Sequence, residues 1–418
     1  MSISDEVIYE SKDRPDFRDT HTPEGLRVVQ ISTNPTRNSQ HMYPESLMFT
    51  SDSGRFVLHR SRSGDPTRGD YWLCDIEDDF GLRQLTDEAN VHGRVAVSPD
   101  SKWMYYFVDR TRSEGILEVK RVSLETFVRE SFFTLEGPIP GTNFRPMRPH
   151  GASSISVDGK RLCTYVRLDD GKTENLFGIL VFSLEQPSVE LIFEGEHFSN
   201  MHVQYCRSEE TALSHDILIQ HNHVDGLGAD LHVIRDDGTC WRDVPIARDG
   251  VYRHTGHEQW RGTMDTVISS IQEIAGPRRH RLIESWPIAA DDATSHLGGR
   301  SPGTRNNDIT RDTDCAGFNH FHVDASGMHI VTRNERRKGE ADLKFYIGTF
   351  SPGKDSVLKT QYLCSPKSPL SLEKQYGLYH GNKPRPFFSP DGRMVFFHST
   401  VDGPCQVFMA TGYAFPEF

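Results

Sequence analysis

The sequence predicts an all-β seven-bladed β-propeller with blades of four antiparallel strands. Three observations predict it: a turn-and-strand motif that recurs seven times, a strand–turn–strand unit after most copies, and a strand near the N-terminus with no partner of its own.

The clear copies of the motif are SDSGRFVLH from Ser51, SPDSKWMYYFV from Ser98, SVDGKRLCTYV from Ser156 and SPDGRMVFFHS from Ser389. DASGMHIVT from Asp324 is weaker, and RSEETALSHDILIQ from Arg207 and RGTMDTVISSI from Arg261 are degenerate copies. The spacing is about 50 to 65 residues. Ser-Pro-Asp-Gly is turn chemistry, and the β-branched and aromatic run after it is strand chemistry. Each copy therefore reads as a hairpin joining an inner strand to the next one out. YWLCDIEDDFGLRQLT from Tyr71, FGILVFSLEQPSVELIF from Phe177 and LKFYIGTFSPGKDSVLKTQYL from Leu343 supply the two outer strands of their blades. The last copy stops after CQVFMATG, so LRVVQIST from Leu26 is predicted to close the last blade and remove the open edge.

The chain reads as a single domain over residues 1–418, with 1–25 a polar N-terminal extension. Two stretches break the period, 287–318 and 365–383, and both are read as long loops over a channel mouth.

Bulk properties narrow the partners. A net charge of −12 disfavours nucleic acid, whose phosphates need a basic face. Mean hydropathy is −0.56, and no apolar run approaches the roughly 18 residues of a membrane span. The seven cysteines are scattered without a CxxC pair, and no basic-then-apolar leader opens the chain; both point to a cytoplasmic setting. The expected assembly is a monomer or homodimer. No GxSxG elbow, phosphate loop or zinc HExxH is present.

The chemistry is expected at the axis. Inner strands of a propeller line its channel, and the windows just before the turns read HMYPES, VHGR, PHGA, MHVQ, HTGHEQ, NHFH and HGNKPR. They hold nine of the 20 histidines, far apart in the chain and expected close in space. Converging imidazoles suit a divalent metal or a general base near neutral pH. Arg94, Lys383 and Arg385 lie in equivalent positions, so an anion is the expected guest. Tyr43, His92, Arg94, His150 and Gln259 are expected to bind substrate.

These residues resemble the oligogalacturonate lyases. YPESLMFTSDSGRFVLHRSRSGDPTRGDYWLCDIEDDFGLRQLTDE looks like that family's first blade, TGHEQW at Thr255 is similar to its His-Glu-aromatic-Trp strand, and PFFSPDGRMVFFHSTVDGPCQVFMA is similar to its last blade. The resemblance implies a cytosolic propeller that cleaves uronate oligosaccharides by β-elimination. It also implies a manganese ion on three histidines and a glutamine. One of those histidines maps onto His257, and the glutamine corresponds to His380. The other two histidines fall on Lys383 and Arg385, a departure that replaces two neutral ligands with two cations. His202 falls roughly at the family's proposed base.

The expectation is therefore an anionic oligosaccharide substrate, with Lys383 and Arg385 on its carboxylate and His202 or His257 taking the proton. A divalent metal, manganese or similar, stays open at His254, His257, His320, His322 and His380. The alternatives are a glycoside hydrolase or epimerase of uronate sugars, or a non-catalytic propeller that binds a glycan or protein.

Overall fold

The recurring turn explains the architecture. Ser98, Ser156 and Ser389 each donate through Oγ to the Asp two residues on, at 2.6 Å. Each Asp accepts the backbone N–H two residues further, at 3.1 Å. The same Ser Oγ then accepts the first N–H of the outgoing strand at 3.0–3.1 Å. In the first copy Thr50 plays this part, bonding Asp52 at 2.6 Å. Gly159 and Gly392 supply the left-handed residue of the turn, at φ +74° and +69°. Ser53 and Ser101 adopt it without glycine, at φ 63° and 61°, which costs roughly 1–2 kcal/mol.

In the computed structural model these hairpins assemble into seven antiparallel sheets. The structure describes residues 6–63, 65–222, 229–246, 252–273, 280–289, 306–311, 313, 318–334, 343–353, 356–368 and 384–418. From inside out, the second blade is Val91–Val97, Trp103–Arg110, Ile116–Ser123 and Arg129–Glu136. The third repeats the order with Arg145–Ile155, Arg161–Asp169, Leu176–Ser183 and Ser188–Glu196. Apolar clusters fill the spaces between blades. Phe49, Phe56, Phe387 and Phe396 pack ring against ring where the first and last blades meet, with centroids 4.8–5.7 Å apart. Among the described residues the helical pieces are Pro15–Phe17 and Thr111–Glu114, and no helix is long and apolar enough to cross a membrane.

The closing strand lies where the sequence places it. Arg27–Gln30 pairs antiparallel with Gln406–Thr411, aligning Val29 with Met409. Lys12–Asp13 adds a fifth strand outside it.

Two expectations need correction. The N-terminal stretch is more than a polar extension: Phe17 is buried against Phe397 and Phe408, and Arg14 is buried in contact with Gln30, Asp16 and Asp402. Of the 287–318 stretch, Asn306–Asp308 forms the outer strand of the fifth blade and Ile288–Ala289 pairs with the outer strand of the fourth. Both pair at the outer edges of their sheets, so these parts of the stretch belong to blades. Most of 365–383 lies outside the described residues; at its start, Pro366 and Ser368 bond Ser399 and Thr400 of the last blade.

Inner strands also share a break. The second, third and fifth lose register between His92 and Ala96, His150 and Ser153, and His254 and Glu258. A bulge re-aims side chains at the strand end that meets a site. In the fifth, Gly256 at φ +81° makes the turn that carries His257.

Candidate active site

Tyr43 is the hub of the channel. Its hydroxyl lies 2.7 Å from His257 Nδ1. The guanidinium carbons of Arg94 and Arg385 sit 4.4 and 4.6 Å from its ring centroid. The rings of His202 and His320 meet it edge-on at 5.1 and 6.1 Å, and His257 and His320 are 4.0 Å apart. Sevenfold closure thus gathers groups from the first, second, fourth, fifth, sixth and last blades around one ring.

Charge around that hub is unevenly compensated. Arg94 donates to Glu45 at 2.6 Å, and Arg333 Nε donates to His320 Nδ1 at 3.1 Å. Arg385 is buried, forms no ion pair among the described residues, and leaves its Nε without a hydrogen bond. Burial lowers its pKa, the signature of a desolvated cation.

Beneath the hub lies a network that reading for histidines missed. His202 Nδ1 faces Glu45 Oε1 at 3.0 Å and Glu258 Oε1 at 3.6 Å, while its Nε2 meets the Asn200 amide at 2.8 Å. His254 Nε2 approaches Glu258 at 3.4 Å. Gln220, its amide nitrogen turned toward Glu258, reaches both carboxylate oxygens at 3.1 and 3.2 Å. Two buried carboxylates around one imidazole are driven apart in acidity. Burial opposes ionisation of Glu45, but Arg94 and then His202 hold its carboxyl down at about 2. Burial pushes Glu258 up to about 7, with His202 opposing and Glu45 adding to the rise. His202 itself sits at φ 50°, a left-handed conformation that a buried non-glycine residue keeps only where its surroundings impose it.

The hub pair is neutral near pH 7. Burial, then the charges of His202, Arg333 and Arg385, hold His257 well below the ordinary imidazole value. Burial, then Glu45, raises the Tyr43 phenol.

Other expected residues lie elsewhere. Gln259 Oε1 accepts the Val323 N–H at 3.0 Å, a bond between blades five and six. His322 is held against the last blade, its Nδ1 accepting the Phe388 N–H at 3.2 Å, so it is not brought to His257 and His320. The side chains of His92 and His150, and all of His380 and Lys383, lie outside the described residues.

The metal expectation finds no support here. Among the described residues no group of three or more His, Cys, Asp or Glu side chains is placed to hold an ion. His257 and His320 each commit Nδ1 to a neighbour, Tyr43 and Arg333, and Arg94 and Arg385 add two cations beside them. Among the described residues, those present do not fit a manganese ion.

No protein-family model matches the chain, and no curated protein does either. Solved structures do. An oligogalacturonate lyase in complex with manganese aligns over 98% of this chain and 97% of its own, at 16% identity and a TM-score of 0.69. The oligogalacturonate lyase of Vibrio parahaemolyticus aligns over 97% and 98%, at 16% identity and a TM-score of 0.70. The chain therefore has the seven-bladed propeller fold of the oligogalacturonate lyases along its full length.

Proposed function

We propose that the protein cleaves uronic-acid-containing oligosaccharides by β-elimination, with the sugar carboxylate held by Arg385. The observation that carries this reading is a buried guanidinium that forms no ion pair among the described residues, beside a neutral tyrosine–histidine pair. An arginine fork can bind both oxygens of a carboxylate and stabilise the charge that spreads into it when the C5 proton leaves. Lys383, next to it in sequence, is proposed to assist.

The pair moves the proton. His257 takes the C5 proton on Nε2 as its Nδ1–H passes to the Tyr43 oxygen. The Tyr43 hydroxyl proton goes to O4 of the departing sugar. The C5 electron pair forms the C4=C5 double bond as the C4–O4 bond breaks. One product carries an unsaturated uronate and the other keeps the bridging oxygen as a new anomeric hydroxyl, with no water consumed. His257 is favoured over His202 as the base because both ring nitrogens of His202 are already engaged.

A hydrolase reading would need Glu45 or Glu258 at the glycosidic oxygen, yet their side chains are 2% and 0% exposed. Mass spectrometry of the products separates the reactions. Elimination gives fragments whose masses sum to the parent; hydrolysis adds one water, and that result would reject the proposal.

A further inference from the structure

The channel holds a second compartment. Beyond Glu45 the inner strands run on to the repeated turns and line a half-open cavity of about 440 Å³. That volume lies in the range that holds a small organic ligand. Glu45 lines it while its Oε1 is committed to Arg94 and His202, so this side chain stands between the two compartments.

The walls differ from those of the candidate active site. Met48, Phe49, Ile155, Phe387 and Phe388 make them largely apolar, and one cation, Arg207, lines them. Arg207 has no hydrogen bond or ion pair among the described residues. Asp324 is the acid whose charge reaches it, but that carboxylate is taken by Ser326 at 2.6 Å, by the N–H groups of Met328 and His329 at 3.1 and 2.9 Å, and by the His329 ring at 3.1 Å. Glu209 lines the cavity, is exposed, and forms no ion pair among the described residues. A desolvated guanidinium among aromatic walls favours an anion with an apolar body. Glu209 and Glu45 make a multiply charged anion unfavourable.

We propose that this rear cavity binds a small monocarboxylate with an apolar body, its charged end on Arg207 and its body against Met48, Phe387 and Phe388. The proposal does not depend on the lyase reading.

The test is titration calorimetry of the full chain with 4-phenylbutyrate and with 4-phenylbutanol, which differ at the charged end. The expected result is one site for the acid and at least about tenfold weaker binding of the alcohol. Arg207→Gln should erase that difference. Val157→Trp, at a partly exposed position in the cavity wall, should abolish binding with the circular dichroism of the fold retained. Arg385→Gln should leave acid binding unchanged, which keeps this site distinct from the other compartment. Absence of binding, equal affinity for acid and alcohol, discrimination that survives Arg207→Gln, or loss in Arg385→Gln would overturn the proposal.

Discussion

The Tyr43 hydroxyl and His257 Nδ1 stand 2.7 Å apart although 214 positions separate them in the chain. Their pairing is a product of ring closure, which brings the first and fifth blades to one axis. Both groups are electrically neutral near pH 7, and both lie within reach of two guanidiniums.

Removing the phenol should uncouple binding from turnover. Tyr43→Phe keeps the ring between Arg94 and Arg385 and deletes the proton that reaches O4. Steady-state kinetics should show kcat lower by about 10²–10⁴-fold with KM changed little, the range of one acid–base group. A rise in KM alone would assign Tyr43 to binding.

Arg385 should trade activity against stability. Arg385→Gln should lower kcat/KM by about 10²–10³-fold, since it removes the group that faces the developing charge. Thermal unfolding should stay unchanged or shift upward, because a buried cation with no ion pair among the described residues is lost. Arg385→Lys keeps the charge without the fork and should recover only part of the activity.

The two carboxylates predict opposite pH responses. Glu258 rises from 4.5 to about 7 on folding, so between these values the folded chain holds a proton the unfolded chain has released. Its contribution is full below about pH 4.5 and is lost as pH rises to about 7. Glu45 falls to about 2, so its contribution is present above 4.5 and is lost as pH drops toward 2. Glu258→Gln should therefore exceed the parent protein in unfolding free energy at pH 8, by an amount on the order of 3 kcal/mol. The gap should close by pH 4, as followed by urea denaturation at each pH.

Metal should be dispensable. Chelator treatment followed by dialysis should leave the melting temperature and the turnover rate unchanged, and added manganese should not raise the rate. Restoration of activity by stoichiometric manganese would show that His257 and His320 find further ligands.

The fold was legible because its signal is local. Ser98, Ser156 and Ser389 each build the same turn with the Asp that follows, and strand alternation does the rest. The site was half legible. Tyr43, Arg94, His202, His257, His320 and Arg385 were picked out by residue type and position, and they meet. Glu45 and Glu258 sit inside the same windows, in YPES and GHEQW, but a glutamate in a turn or strand reads as solvated until the blades converge on it. Gln259 was misread for the same reason: its direction depends on the bulge between His254 and Glu258, which local sequence does not reveal. The outer strand of blade five, Asn306–Asp308, follows a polar stretch without strand alternation and so looked like part of a loop.

The most direct test follows the ultraviolet absorbance of a C4=C5 unsaturated uronate during incubation with galacturonate, glucuronate–rhamnose and ulvan-type oligosaccharides. At least one substrate should give a steady rise with the parent protein that Arg385→Gln and Tyr43→Phe nearly eliminate. A flat trace on all three, or an equal rise with Arg385→Gln, would contradict the account.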